Sequence, residues 1–221
     1  MLERRSDRWQ LVLIGAMVLA AFWILFSSPP GARIAIHFDA NGVPNGWAHA
    51  ALAVFFMPAL AAMLWGLLAV LPKIDPLGHN LARSADAVGA IGLAVTAFLA
   101  ALQAVIIAAA LGLPAPQSTL GLLLVGGVLV VVGNVMGKLR PNHTVGLRTP
   151  WTLANERIWD QTHRFGGKVF VLGGVLLCAL SALSVPPDWQ GPAIVMVVLA
   201  CCAACVLKSY LLWRALQRHA D

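Results

Sequence analysis

The sequence predicts an all-α membrane protein that crosses the bilayer about six times, with both ends and its most polar loop on the cytoplasmic side. Of the 221 residues, 60% are hydrophobic and 11% charged, against roughly 45–50% and about 25% in soluble domains. No soluble fold of this length could hide that much apolar surface. The apolar residues also come in long blocks between short polar segments, and the basic residues fall almost entirely on one side of the resulting layout.

The blocks cover residues 9–26, 50–71, 87–111, 120–136, 169–185 and 193–213. A spanning helix needs about 20 apolar residues, and Lys208 is the one charged residue inside any block. It lies near the end of the last one, where its long stem reaches the interface. The first block follows the basic residues Arg4, Arg5 and Arg8, as a signal peptide would. Its apolar core is too long for that, and the nearest cleavage pattern, after Ala35, sets Arg33 where a small residue is required, so it is expected to be retained.

Orientation follows from Lys and Arg, which concentrate in cytoplasmic loops. With six spans and the amino terminus inside, 14 of the 15 basic residues face the cytoplasm and Arg33 alone lies outside. Adding or dropping one span mixes the two sets. The formal net charge of +6 is thus accounted for by topology, and no direct nucleic-acid partner is implied. Trp9, Trp47, Trp151, Trp159, Trp189 and Trp213 lie at or near block ends, where indole rings favour headgroup depth.

Within the blocks, Pro58 is expected to kink the second helix where a neighbour can satisfy the freed carbonyl. Gly133 and Gly137 have the spacing that lets two helices approach closely. Cys178, Cys201, Cys202 and Cys205 all fall in apolar blocks and are expected to be packing residues. No cofactor or metal is called for.

Two connections are too polar to be mere links. The outer one, residues 28–48, contains RIAIHFDANGVPNGW; Ile34, Ile36 and Phe38 alternate as in a short strand, and Asn41-Gly42 and Asn45-Gly46 supply turns. It is expected to form a short ordered cap, with His37, Asp39 and Trp47 as candidate contacts. The inner one, residues 138–168, reads KLRPNHTVGLRTPWTLANERIWDQTHRFGGK. Thr149 as N-cap, Pro150 at the first helical position and Gly166-Gly167 as the stop predict an interfacial amphipathic helix. Trp151, Ala154, Ile158, Thr162 and Phe165 lie on its membrane face, with Trp159 beside them and Glu156, Asp160, His163 and Arg164 opposite.

The spacing of Glu156, Asp160 and His163 would serve a metal or a proton relay, but a solvated face paired with Arg157 and Arg164 is the preferred reading. His37, Asp39 and His49 have no spacing that fixes a metal. Nothing resembles a nucleophile–base pair or a phosphate loop, so no enzyme activity is expected. Each of two halves, 1–111 and 112–221, has three spans and a conspicuous loop between its first two. His37, Gly42, Pro44 and Trp47 occur in one loop, and His143, Gly146, Pro150 and Trp151 in the other, in the same order. That suggests an inverted repeat and keeps a small transporter as the alternative function.

The inner motif PNHTVGLRTPWTL, continued by Trp159, Thr162-His163-Arg164 and Gly166-Gly167-Lys168, resembles the SdpI family of bacterial membrane proteins. The outer IHFDANGVPNGW and the segment LPKIDPLGHN, with Pro72, Asp75, Pro76 and Asn80, look like the amino-terminal half found in that family. Together they cover nearly the whole chain. His143 stands where the family pattern leads one to expect an aromatic such as Tyr. The resemblance implies a bacterial plasma-membrane protein giving immunity to a secreted, membrane-active peptide toxin. In some members this is coupled to holding a transcriptional repressor at the membrane. No catalytic residue carries over. With membrane lipid as its surroundings, the candidate partner-binding residues in the inner segment are Asn142, His143, Gly146, Arg148, Thr149, Pro150, Trp151, Trp159, His163 and Arg164.

Overall fold

A computed structural model describes residues 5–39, 41–113, 119–183 and 185–218; Arg4 and Asp221 lie outside them. The order is α1 (Arg5–Ser27), β1 (Arg33–Phe38), β2 (Pro44–His49), α2 (Ala50–Ile74), α3 (Gly78–Arg83), α4 (Ala85–Ala110), α5 (Thr119–Met136), α6 (Pro150–Ala154), α7 (Glu156–Ala182) and α8 (Pro187–Gln217). Among the described residues six helices, α1, α2, α4, α5, α7 and α8, are long and apolar enough to cross a membrane. No more than 33% of the apolar window of any of them is buried inside the protein. Side chains such as Leu19, Phe26, Leu172 and Met196 stand exposed along the spans, and in the absence of other protein only lipid can cover them.

Helices α1, α2 and α4 pack together, α5, α7 and α8 pack together, and α4 meets α5. Met17, Ala61 and Leu99 fill the middle of the first group. Pro58 has no N–H to give to the carbonyl of Val54. Gln103 of α4 turns its amide nitrogen to that carbonyl at 3.4 Å and to the Met17 carbonyl at 2.8 Å. A neighbouring helix thus supplies a donor for the freed carbonyl, as the sequence leads one to expect.

In the second group glycine does the packing. A Cβ on Gly133 would lie 2.6 Å from the Gly167 carbonyl oxygen, and one on Gly126 would lie 2.8 Å from that of Gly174. Gly137, paired with Gly133 by spacing, is not at this contact: its Cβ would meet only Arg164 at 3.5 Å. The four cysteines are free, and Cys201 and Cys205 set their sulfurs against Gly173 and Gly166.

Three local expectations are corrected. The inner segment has no separate interfacial helix that stops at Gly166-Gly167: α6 lasts five residues, Asn155 is extended, and α7 then runs unbroken through the two glycines to Ala182. Asn155 restarts the helix by accepting from the Ile158 N–H at 3.1 Å. The two glycines remain helical because inside a membrane protein their backbone groups have no better partners. Consequently Ile158, Trp159, Thr162, His163, Gly166 and Gly167 are all buried. His163 belongs to the packed face and not the polar one, and Trp159, at 0% exposure, is no headgroup anchor.

In the outer segment β1 and β2 form an antiparallel hairpin that is irregular between Ala35 and Phe38. The irregularity breaks the alternation, so Ile34 and Ala35 are both buried while Ile36 is exposed. The Asp39 N–H donates to the Val43 carbonyl at 2.9 Å and Gly42 has φ +79°; Asn45-Gly46 lies within β2 instead of forming a second turn.

Candidate functional site

Residues 138–149 form a loop at the end of the bundle where α2 and α5 finish and α4 starts. The hairpin lies at the other end, separated by α2, whose 25 residues span about 37 Å. The loop has no regular secondary structure, so its backbone groups need partners elsewhere. Side chains supply them from inside and from both flanks.

Asn142 is the interior partner, with 0% exposure. Its amide nitrogen donates to the carbonyls of Arg140 (2.8 Å) and Val145 (2.9 Å). Its oxygen accepts from the N–H groups of Thr144 (2.9 Å) and Val145 (2.6 Å). All hydrogen-bonding capacity of the amide is engaged, as burial of such a group requires.

One flank is the connection between α2 and α4. The Asp75 carboxylate accepts from the Leu77 N–H at 2.7 Å, the His143 N–H at 3.0 Å and the Thr144 hydroxyl at 2.9 Å. The Asn80 amide donates to the Pro141 carbonyl at 2.9 Å, and the Ser84 hydroxyl oxygen accepts from the Arg140 N–H at 2.8 Å. The other flank is α7. The Trp159 indole N–H donates to the Leu139 carbonyl at 2.8 Å. His163 Nε2 accepts from the Leu147 N–H at 3.0 Å. Because Nε2 accepts, the proton of the neutral ring is on Nδ1, which lies 2.9 Å from the Trp159 carbonyl. The Trp159 and His163 rings stack with centroids 4.0 Å apart.

Gly146 closes over that stack with φ +124°, and a Cβ there would lie 2.5 Å from His163 Nε2. Thr149 then caps α6 in a reciprocal arrangement with Thr152, and its hydroxyl reaches Ser209 of α8 at 3.2 Å. Trp151, half-buried, packs against Tyr210 and Trp213 with centroids at 5.3 and 6.2 Å.

Burial pushes the Asp75 carboxyl upward, but the hydrogen bonds from Leu77, Thr144 and His143, together with the His143 ring, outweigh it and hold the group below its ordinary value of 3.8. A depressed carboxylate adds stability that is complete above the ordinary value and is lost as pH falls through the folded one. The protein should therefore lose thermal stability below about pH 3.8. Asp75→Asn, which sets an NH2 against one group of donors, is expected to cost about 2–3 kcal/mol at neutral pH. Thermal unfolding of both proteins across pH 3 to 7 checks this: the variant should be the less stable at neutral pH and flatter in acid.

The candidate residues thus divide. Asn142, Gly146, Thr149, Trp159 and His163 come together as scaffold. His143, Arg148 and Pro150 are exposed on it, with Arg148 donating to the His143 carbonyl at 2.8 Å. Arg164 stands on the outer face of α7. His37, Asp39 and Trp47 are at the hairpin end. There Asp39 accepts from the Asn41 and Val43 N–H groups at 2.9 and 2.8 Å, the His37 ring pairs with the Asn45 side chain, and Trp47 is exposed.

With both nitrogens engaged and no exposed surface, His163 is not free to act as a base or a ligand. Among the described residues no three His, Cys, Asp or Glu side chains form a metal-holding group. Asp75, Asn80 and Ser84 were not among the sequence candidates. The clue available was that the turn-rich segment DPLGHN carries Asp75 and Asn80 on the same side of the layout as the inner loop.

Residues 138–210 match the SdpI/YfhL protein family, and residues 12–62 match a domain of unknown function, DUF1648. The chain is 46% identical over 57 residues to the immunity protein SdpI of Bacillus subtilis (strain 168), a stretch covering 26% of this chain and 28% of that protein. It is 28% identical over 64 residues to the uncharacterized protein YfhL of the same organism, covering 27% of this chain and 58% of that one. In both comparisons less than two thirds of the relative is spanned. No solved structure matches the chain.

Proposed function

From its membership of the SdpI/YfhL family through residues 138–210, and from its six apolar helices, we propose that this multi-pass membrane protein is an immunity protein that protects its cell against a secreted, membrane-active peptide. The family segment begins with a loop whose interior polar groups are bonded to one another and whose exposed rim is cationic, and this observation carries the reading. Asn142, Asp75 and His163 are committed to structure, which leaves His143, Arg148, Lys138 and Arg140 to meet a partner. A rigid cationic rim suits recognition of an acidic surface.

The distribution of Lys and Arg assigns this rim to the cytoplasm and the hairpin to the outside. The peptide then meets the hairpin end, near His37, Asp39 and Trp47. A cytoplasmic partner, of which a transcriptional repressor is the kind the resemblance suggests, docks on the inner rim. Asp75 and Asn80 bond the loop to the α2–α4 connection, so a shift of the first three spans is felt at the rim.

The test is to express the chain in a host sensitive to secreted membrane-active peptides. Survival should rise, and Arg148→Ala should reduce protection about tenfold, the effect of losing one charged contact of about 1.4 kcal/mol, at unchanged membrane abundance. Unaltered sensitivity with the intact chain, at normal abundance, would sink the immunity reading.

A further inference from the structure

Between α5 and α7, on the outer surface of the helix pair, lies a groove of about 650 Å³ lined by Gly133, Asn134, Gly137, Arg164, Gly167, Lys168, Val171 and Leu172. We propose that this groove binds one anionic phospholipid, with Arg164 and Lys168 on the phosphate and the acyl chain running along Val171 and Leu172.

The groove exists because the glycines that bring α5 and α7 together leave no side chain to fill the seam. Its chemistry changes along its length. At one end are two exposed cations one turn apart and the exposed Asn134 amide; at the other are Val171 and Leu172, the latter 69% exposed. Lys168 is the last charged residue before the apolar run of α7, so the polar end lies where a span leaves the hydrocarbon. Two cations above an apolar channel at that depth match a headgroup above a chain.

The lining contains no carboxylate. Glu156 and Asp160 border a separate hollow on α7 that shares Arg164, which leaves Lys168 as the cation that belongs to the groove alone. A net-negative headgroup is therefore favoured over a zwitterionic one, whose amine would face both cations. A second copy of this chain, with net charge +6, would bring the same cation-lined seam against itself in a two-fold contact.

The experiment is native mass spectrometry of the delipidated full chain with phosphatidylglycerol or phosphatidylcholine of identical acyl chains. Phosphatidylglycerol should be retained about tenfold better. The double variant Arg164→Gln, Lys168→Gln should abolish that preference. Gly137→Leu, which fills the groove without entering the glycine contact, should weaken retention of both lipids. The double variant Arg83→Gln, Arg214→Gln, at exposed positions away from the groove, should change nothing.

Equal retention of the two lipids by the intact chain overturns the proposal. So does an equal loss with Arg83 and Arg214 neutralised, which would mean bulk charge alone. A dimer that Gly137→Leu converts to monomer, with lipid retention unaltered, would assign the groove to self-association instead.

Discussion

Gly167→Leu is expected to drive α5 and α7 apart and to cost about 3 kcal/mol or more, enough to melt a marginally stable membrane domain, whereas Gly137→Leu should stay close to the unaltered chain. The reason lies in what each new side chain would meet. A Cβ at Gly167 would stand 2.7 Å from the carbonyl oxygen of Gly133, and one at Gly174 would stand 2.5 Å from that of Gly126. These are backbone atoms within helices, which cannot rotate aside as a side chain can. Gly126 faces Gly174 and Gly133 faces Gly167, each pair two turns from the other, as antiparallel helices in register require. In lipid, close packing is a principal force between helices, so lost contact is not replaced by hydrophobic association. Thermal unfolding in detergent, followed by helical signal and protease resistance, measures the difference. A Gly167→Leu protein melting with the unaltered chain would mean that the two backbones are not in contact.

The spans were legible because each is a run of apolar residues that only one environment tolerates, and Pro58 announced its own need for a partner. Position in sequence could not say that the partner is Gln103, 45 residues away by numbering. The inner segment was legible as a motif and misjudged as geometry. Gly166-Gly167 has the composition of a helix stop, yet the same absence of side chains serves close packing, and only the neighbour α5 decides between the two. The consequence extends along the helix: a helix ending there puts the preceding residues at a membrane surface, which sets His163 on a polar face and Trp159 among the headgroups. In fact the loop needs both rings. Twelve consecutive residues without regular hydrogen bonding require donors and acceptors from elsewhere, and Asn142, Trp159 and His163, with Arg148 and Thr152, supply them from within the segment. Asp75 and Asn80 could be singled out only as residues of a family-like segment, because the loop groups they bond, at Pro141, His143 and Thr144, lie more than 60 residues distant along the chain.

Gly146→Ala should dissolve this loop while leaving the spans intact, and it separates the contribution of the loop to function from that of the bundle. Alanine at φ +124° carries backbone strain of about 1–3 kcal/mol. Its methyl would also occupy the space of His163 Nε2, displacing the acceptor of the Leu147 N–H and exposing a further cost of about 1–3 kcal/mol for an unpaired donor. Together about 2–6 kcal/mol of local stability is lost, which should raise the rate of proteolytic cleavage within 138–149 by about thirtyfold or more. Helical content should hardly change, because none of the six long helices contains Gly146. His163→Phe provides the complementary measurement: it keeps a ring against Trp159 but removes the acceptor, and should loosen the loop less than Gly146→Ala does. If the proposed protective role depends on the rim, both variants lose protection at normal membrane abundance, in the order of their loop opening. Cleavage as slow in Gly146→Ala as in the unaltered chain would show that the glycine conformation is not what closes the loop. Full protection alongside rapid cleavage would show that protection runs through the hairpin end without help from the inner rim.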